Sequence, residues 1–294
     1  MHDHRHDHAD ASSDRIGWAF FLNVSFTIIE FIGGWLTNST AIMADAVHDL
    51  GDSLSIGLAW LLSKLSSKRA DSLFTYGYHR FSLLGALING FVLIAGSIWV
   101  LSEAIPRLSD PQRPDALGML GLAILGVGVN GYAAYKLSHG KTLNERVLNW
   151  HLLEDVLGWL AVLIVAVTLL FVDWPILDPL LSIAFTLFIL VNVVRNIVAT
   201  GSLLMQATPD KALYRDVVDA FAATEHVVDS HHVHLWSLDG ESHVLTAHLQ
   251  IDDCIGYVEQ RDIKADLNNR LSEFNFIHTT IEFEFPDEEC RDDN

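Results

Sequence analysis

Six long apolar stretches occupy the first two-thirds of the chain, and each is close to the length that crosses a bilayer. A helix needs about 20 predominantly apolar residues to span the hydrocarbon core. The stretches are continuously apolar rather than alternating, which favours helices over the strands of a barrel. The sequence therefore predicts an α-helical domain of six transmembrane helices, embedded in the lipid bilayer, within residues 15–207. The predicted spans are residues 16–36, 41–62, 81–104, 116–137, 147–172 and 176–199.

Basic residues in the short connections predict the orientation of this domain, because cytoplasmic connections are enriched in Lys and Arg. One side carries Arg5, Arg15, Lys64, Lys68, Arg69, Arg80, Lys136, Lys141 and Arg146. The opposite side carries Arg107 and Arg113. We therefore expect a multi-pass protein of the cell inner membrane with both termini in the cytoplasm.

The N-terminal tail, residues 1–14, is polar and rich in histidine. Composition leaves two interpretations open, a tail that attracts metal ions or an ordinary solvated terminus. The polar start and the length of the first apolar stretch argue against a cleaved signal peptide. The histidines of this tail are His2, His4, His6 and His8.

The composition changes abruptly after the sixth stretch. Residues 208–294 contain 20 acidic and 6 basic residues, so they contribute −14 to the net charge of −19. Such a domain repels nucleic acid and concentrates cations. We expect a small cytoplasmic α+β domain with its helices on one face of an open sheet. Its pattern predicts helices at 211–224 and 257–274, strands at 232–238, 244–251 and 279–285, and a hairpin turn at Asp239-Gly240.

Two of the apolar stretches carry the same pair of residue types, His48 with Asp52 and His151 with Asp155. Residues four apart lie on one face of a helix, so both members of a pair can reach a common atom. Two imidazoles and two carboxylates form a tetrahedral set suited to Zn²⁺, and the carboxylates balance the charge of the ion. A packing role is the weaker explanation, since each charged residue in a membrane costs roughly 3 kcal/mol.

Three parts of the sequence resemble the cation diffusion facilitator family: STAIMADAVHDLGDS at 39–53, FTYGYHRF at 74–81, and HLWSL at 234–238 with TAH at 246–248. The resemblance implies a homodimer that exports Zn²⁺ in exchange for protons and has a ferredoxin-like, metallochaperone-like cytoplasmic domain. A histidine on the second helix accompanies a preference for Zn²⁺ over Cd²⁺ in this family, so we expect zinc as the main substrate and Co²⁺ or Cd²⁺ as secondary ones. The family's transport-site positions fall on His48, Asp52, His151 and Asp155.

A second metal site, with a regulatory role, is expected in the cytoplasmic domain. Alternation along the strands predicts a core face of Val233, Leu235, Leu245, Ala247, Leu249, Ile281, Phe283 and Phe285. The same alternation turns outward His232, His234, His248, Glu282 and Glu284. The resemblance instead implies a site of His231, His248 and a ligand near His278, Glu282 or Glu284. The two arguments agree on His248 and leave the choice between His231 and His232 open. An acidic solvated face with incidental histidines is the alternative to a site.

Other functional classes fit the sequence less well. A membrane metalloenzyme needs a general base beside an open metal position, typically in an HExxH motif, and the sequence contains none. It also contains no Walker A motif, so ATP is not the expected energy source. The two cysteines, Cys254 and Cys290, form neither a disulfide framework nor a CxxC site. We expect a carrier rather than an enzyme, with a membrane metal sensor that does not transport as the alternative.

Overall fold

The computed structural model describes residues 21, 23–66, 68–138, 143–252 and 255–292 of the 294-residue chain. For residues 59–60, 63–64, 136–137 and 143–151 it describes the backbone alone. The described chain divides into two compact units. One contains the residues up to Leu61 together with Ile88–Asn196, and the other contains Leu62–Leu87 together with Ile197–Asn294. The histidines of the N-terminal tail lie outside the described residues.

Helices occupy all six predicted apolar stretches, which confirms the α-helical membrane domain. Four of them, the third to the sixth, are long and apolar enough to cross a membrane. The second carries Asp45, Asp49 and Asp52, which lower its hydropathy, and the first is described continuously only from Asn23. The helices are α1 (Asn23–Leu36), α2 (Thr40–Ser66), α3 (Phe81–Ala104), α4 (Ala116–Leu137), α5 (Leu143–Phe171) and α6 (Leu177–Leu204).

The core of the first unit forms where α2, α4 and α5 meet. Trp159 of α5 is 1% exposed and is the largest of its fully buried side chains. Helix α4 approaches this ring at Gly126, where an added Cβ would lie 2.2 Å from the indole, so no larger residue fits without displacing Trp159. Close packing of this kind fixes the distance between helices. The core consists of Ala41, Ile42, Met119, Ala123, Trp159, Val162 and Ala166.

The start of α2 is held by Asp178, a buried carboxylate in the first turn of α6. It accepts hydrogen bonds from the Ser39 hydroxyl, and from the N–H and hydroxyl of Thr40 at 2.7 and 2.8 Å. The N–H of Ala41 donates to it at 3.3 Å, and the Ser182 hydroxyl donates to the Thr40 carbonyl at 2.9 Å. The first N–H groups of a helix have no partner within that helix. Asp178 supplies one from a neighbouring helix and thereby fixes where α2 begins.

The second unit contains a three-stranded sheet in the order β1-β2-β3. Strand β1 pairs antiparallel with β2, while β2 pairs parallel with β3, which requires the crossover that α8 supplies. This arrangement confirms the predicted α+β domain. Along the chain the elements are α7 (Lys211–Ala222), β1 (Val227–Ser237), β2 (His243–Ile251), α8 (Tyr257–Leu271) and β3 (Phe276–Glu284).

Both helices of this unit pack on one face of the sheet, as the strand alternation predicts. Val233, Ile281 and Phe283 are partly buried against the core, but Phe285 is outside it. The prediction for Phe285 was wrong because β3 ends at Glu284 and the chain then turns. The core consists of Val217, Phe221, Leu235, Leu245, Ala247, Leu249, Ile263, Leu267 and Leu271.

The hairpin between β1 and β2 forms at the predicted turn. The side chain of Asp239 accepts hydrogen bonds from the N–H groups of Glu241 and Ser242 at 2.9 and 2.6 Å. Gly240 has a φ of 100°, in the region that favours glycine. An aspartate that accepts from the backbone two or three residues ahead is the usual device of such a turn.

The connection between α2 and α3 packs against the sheet within the second unit. The ring of Tyr76 lies 5.6 Å from that of His278 and 6.3 Å from that of Trp236. Nδ1 of His79 lies 3.2 Å from a carboxylate oxygen of Asp239 in the hairpin. The α2–α3 connection is therefore part of the same compact unit as the sheet.

Strand β1 starts at Val227, five residues before the predicted start at His232. Its first half pairs Asp229, Ser230 and His231 with β2, and the pairing register shifts between His231 and His234. His232 lies in this irregularity with a φ of 47°. A bulge breaks the alternation of the strand, and polar residues carry little strand signal, so the pattern did not reveal this half.

Replacing Asp178 with alanine should destabilise the membrane domain by about 2 kcal/mol or more, because buried donors left without a partner cost about 1–3 kcal/mol. Thermal unfolding of the purified protein in detergent measures this. The matched control is Asp173→Ala, since the Asp173 side chain is 64% exposed and pairs with Arg113 at the surface, where an ion pair contributes little. Equal melting temperatures for Asp178→Ala and the unmodified protein would contradict the anchoring role.

Candidate metal centres

His48 and Asp52 lie one turn apart on the same face of α2. Nε2 of His48 is 3.6 Å from Oδ2 of Asp52, and both side chains are partly buried. Two ligands of one tetrahedral zinc ion are about 3.3–3.8 Å apart, given bonds of about 2.0–2.3 Å. The spacing of the pair in the helix therefore already suits a shared ion.

Helix α5 presents Asp155, which is 9% exposed, to the interior of the same unit. A contact with α2 lies nearby, since Oδ1 of Asp45 is 3.5 Å from the position that a Cβ on Gly158 would take. His151 lies one helical turn before Asp155 along the backbone of α5. The side chain of His151 is outside the described residues.

Further carboxylates are buried in the same unit. Glu30 of α1 is fully buried, and Asp45 and Asp49 of α2 are each 5% exposed. Carboxylates removed from water are strongly destabilising unless protons or cations neutralise them. The interior of this helical unit is therefore a region that favours positive charge.

The second unit holds a tighter set of ligand atoms, formed by His231, His248, Glu284 and Cys290. Their ligand atoms all lie within 4.8 Å of one another, and among the described residues this is the one such set of three or more. Nδ1 of His248 is 2.6 Å from Oε1 of Glu284, and Nε2 of His231 is 2.9 Å from Oε2 of Glu284. The ligand atoms of His48, Asp52 and Asp155 do not all lie within 4.8 Å of one another. They would have to move closer together to bind one ion.

The sheet register explains why His231 rather than His232 faces His248. His231 pairs directly with His248 across β1 and β2, and the register shift follows at once. Paired residues of neighbouring strands point to the same face of a sheet. The ring of His232 also lies close, 5.3 Å from the rings of both, but its nitrogens are not among the ligand atoms that lie within 4.8 Å of one another. Alternation alone favoured His232 because it cannot reveal a bulge.

The other predicted ligands of this site occupy different places. Oε2 of Glu282 is 3.9 Å from Nε2 of His248 and pairs with Arg291 at 2.6 Å. His278 is not drawn in: its Nε2 contacts the Thr280 hydroxyl at 3.1 Å and its ring packs on Tyr76. Of the three residues considered for the third ligand, Glu284 is the one in the set.

Glu284 carries a negative charge into this set. Burial raises the pKa of its carboxyl. Hydrogen bonds from Cys290 and His248, together with the nearby His231, lower that pKa by more than burial raises it, so the net pKa is below the usual value. A group with a lowered pKa is ionised at neutral pH. The carboxylate can therefore accept from the imidazoles or bind a cation.

Cys290 is the member of the set that sequence reasoning missed. It was considered only for a disulfide or a CxxC motif, and it forms neither. The signal that could have revealed it is Pro286-Asp287, a turn-forming pair directly after the last strand. A turn there returns the residues that follow to the face of the sheet that carries Glu284. Cys254 lies outside the described residues.

Two segments of the chain match known protein domains. Residues 18–205 match the cation efflux transmembrane domain, and residues 209–285 match the cytoplasmic domain of cation efflux proteins. A cadmium, cobalt and zinc/H(+)-K(+) antiporter of Bacillus velezensis is 32% identical over 96% of this chain and 91% of its own length. The zinc transporter ZitB of Pectobacterium atrosepticum is 31% identical over 99% and 91%, and the metal cation efflux system protein CzcD of Cupriavidus metallidurans is 29% identical over 96% and 89%. With both of its domains matched in order along one chain, this protein belongs to the cation efflux family of membrane transporters.

Proposed function

We propose that this protein is a Zn²⁺/H⁺ antiporter that exports zinc from the cytoplasm through a site of His48, Asp52, His151 and Asp155. The observation that carries the proposal is the His48–Asp52 pair, 3.6 Å apart on α2, with the buried Asp155 on the α5 helix that α2 contacts. A chain of a metal efflux family has little other reason to carry this set of ionisable residues in its membrane domain.

The donor set supports zinc as the main substrate. Two imidazole nitrogens and two carboxylate oxygens suit Zn²⁺, whereas an oxygen-only site favours Mg²⁺, Ca²⁺ or Mn²⁺. Two of the three relatives are named for zinc, and one of these two also for cadmium and cobalt. Cd²⁺ and Co²⁺ are therefore the secondary substrates that we propose.

Proton exchange follows from the chemistry of the ligands. An imidazole must lose its proton to bind a metal, so metal entry expels protons and proton entry expels metal. An ordinary imidazole titrates near pH 6.5, within the range of cellular pH. Protons entering from outside can therefore drive zinc out of the cytoplasm.

We further propose a homodimer in the inner membrane with both termini cytoplasmic. The matched cytoplasmic domain is a dimerisation domain of this family, which supports the homodimer. The α2–α3 connection contains Lys68, Arg69 and Arg80 and packs against the C-terminal domain. By the positive-inside rule, these basic residues support a cytoplasmic location for that domain. We retain the division into a tail (1–14), a membrane domain (15–207) and a cytoplasmic domain (208–294).

The cytoplasmic set supports a regulatory zinc site that includes His231, His248 and Glu284. A ligand that binds one state more tightly shifts the population toward that state. Zinc at this site would thus favour the dimeric, transport-competent arrangement when cytoplasmic zinc rises. A protein that only sensed zinc would bind it here without carrying it, and the flux measurements below distinguish the two functions.

Replacing His48 or Asp155 with alanine should abolish zinc flux, because either change opens the ligand shell and leaves its charge unbalanced. The measurement is zinc uptake by proteoliposomes containing the purified protein, with size-exclusion chromatography to show that each variant stays folded and dimeric. The matched controls are His226→Ala and Asp173→Ala, at partly or largely exposed positions outside both candidate sites. Near-normal flux by His48→Ala or Asp155→Ala would refute the transport-site assignment.

Replacing His48 with aspartate should relax the preference for Zn²⁺ over Cd²⁺, since an oxygen ligand and a negative charge replace a nitrogen ligand. Flux in mixtures of the two ions measures the ratio directly. His226→Asp introduces the same change away from the site and serves as the control. If the ratio for His48→Asp equals that of the control, His48 does not determine the choice of ion.

An imposed pH gradient should drive zinc flux, with protons moving in the opposite direction. Sealed vesicles loaded with a pH-sensitive dye report both movements when zinc is added. Asp155→Ala vesicles should show neither zinc flux nor proton countermovement. Zinc flux by the unmodified protein that ignores the gradient and moves no protons would identify a uniporter.

A further inference from the structure

We propose that Cys290 is the fourth ligand of the cytoplasmic site, so that one subunit alone supplies a complete tetrahedral zinc site. The ligands are two imidazoles, one carboxylate and one thiolate, from His231, His248, Glu284 and Cys290. This inference rests on the cytoplasmic site proposed above, and it identifies the residue that closes that site.

A turn after β3 brings Cys290 back to the sheet. The N–H of Glu288 donates to the Phe285 carbonyl at 2.9 Å, and the N–H of Phe285 donates to the Glu288 carboxylate at 2.9 Å. The two hydrogen bonds close a loop over Pro286 and Asp287. Cys290 follows two residues later and lies beside Glu284, from which it is separated by only six positions along the chain.

The distances around Cys290 are those of a ligand rather than of a bystander. Its Sγ lies 3.4 Å from Nδ1 of His248, the same nitrogen that is 2.6 Å from Oε1 of Glu284. Sulfur and nitrogen ligands of one zinc ion lie about 3.3–3.8 Å apart. Nδ1 of His248 therefore faces both of its prospective co-ligands, and Nε2 of His231 is 2.9 Å from Oε2 of Glu284. The contacts to Glu284 at 2.6 and 2.9 Å are hydrogen-bond distances, so a zinc ion that replaces their protons would separate these atoms to about 3.3 Å or more.

The second nitrogen of His248 faces a carboxylate. Nε2 lies 3.5 Å from a carboxylate oxygen of Asp292, which belongs to the same terminal segment as Cys290. A histidine that binds a metal through one nitrogen is usually oriented by a carboxylate at the other. Arg291 ties this segment to the sheet through Glu282, at 2.6 Å. The segment therefore supplies the proposed ligand and also places a carboxylate near the second nitrogen of His248.

Charge and accessibility fit a divalent ion. With its thiol deprotonated, the set carries two negative charges, from Cys290 and Glu284, and these balance a dication. His248 and Glu284 are each 8% exposed, while His231 and Cys290 line a cleft of about 740 Å³ through which an ion can enter. A thiolate favours Zn²⁺, Cd²⁺ and Co²⁺ over Mg²⁺ or Mn²⁺. The site thus distinguishes the proposed substrates from the abundant hard cations.

Cys290 lies just after the segment that matches the family's cytoplasmic domain. The match to the cytoplasmic domain ends at residue 285, so the turn and Cys290 follow it. The sheet supplies three ligands within the matched region, and a segment outside that region supplies the fourth.

The test is the optical spectrum of the full-length protein in detergent with Co²⁺ in place of zinc. A thiolate bound to Co²⁺ gives a sulfur-to-metal charge-transfer band in the near ultraviolet, and the proposed transport site contains no sulfur. We expect the band in the unmodified protein and in Cys254→Ser, which removes the other cysteine of the chain. Cys290→Ser should lose the band and weaken cytoplasmic Co²⁺ binding by at least the roughly 10–100-fold typical of losing a supporting group at a metal site.

Alkylation of the thiol provides a second measurement on folded protein. In Cys254→Ser, bound zinc should slow the reaction of Cys290 with a maleimide, and His248→Ala should remove this protection. A charge-transfer band that persists in Cys290→Ser, a band absent from the unmodified protein, or alkylation indifferent to zinc would each overturn the assignment.

Transport is measured separately, so the two proposals can fail independently. A protein with normal zinc flux and no sulfur band would refute the assignment of Cys290 and leave the transport function intact. A protein with the sulfur band and no flux would retain the ligand and refute the transport function.

Discussion

The membrane domain is organised around carboxylates and imidazoles that lipid cannot solvate. On α2, Asp45, His48, Asp49 and Asp52 fall within two helical turns, and Asp155 approaches from α5. Each group would cost roughly 2.5–3.5 kcal/mol at the centre of a bilayer. Packing between helices and the presence of cations or protons reduce that cost. The arrangement is therefore most stable when positive charge is present and least stable when the region is empty of it, which is the property of a carrier site.

Close packing between helices holds the backbone segments that carry these groups. Asp178 holds the start of α2 through bonds from Ser39, Thr40 and Ala41, while Trp159 fills the space between α4 and α5 up to Gly126. These contacts fix where α2 begins and how closely α4 approaches α5. The partly exposed His48 and Asp52 are left with room to move toward an ion. A firm scaffold with adjustable ligands suits a site that must both accept and release its cargo.

The sequence revealed the bounds of the second to sixth membrane helices to within five residues, because hydrophobicity in lipid is a strong and continuous signal. Both ends of α3 and α4 fell where predicted, at Phe81–Ala104 and Ala116–Leu137. The anchoring role of Asp178 gave no such signal, since one aspartate at a helix start is ordinary in sequence and its partners lie 137 to 139 positions away.

Prediction was less complete in the cytoplasmic domain, where two local irregularities decide the site. The bulge after His231 reversed the face expected from alternation, and the turn at Pro286 returned Cys290 to the sheet. His248 and Glu284 were among the expected ligands because they sit in regular strands. Pattern reasoning thus found the members of the set that regular strands position and missed the one that a turn positions.

The central claim is that zinc binds in the membrane domain between α2 and α5. X-ray absorption at the zinc edge tests it directly on full-length protein carrying His248→Ala and Cys290→Ser, which removes the cytoplasmic site. With one equivalent of zinc, the account predicts four nitrogen and oxygen neighbours at about 2.0–2.2 Å, an imidazole signature and no sulfur. Adding His48→Ala and Asp155→Ala should abolish this bound zinc. An unchanged zinc shell in that protein, or no bound zinc before those changes, would contradict the claim.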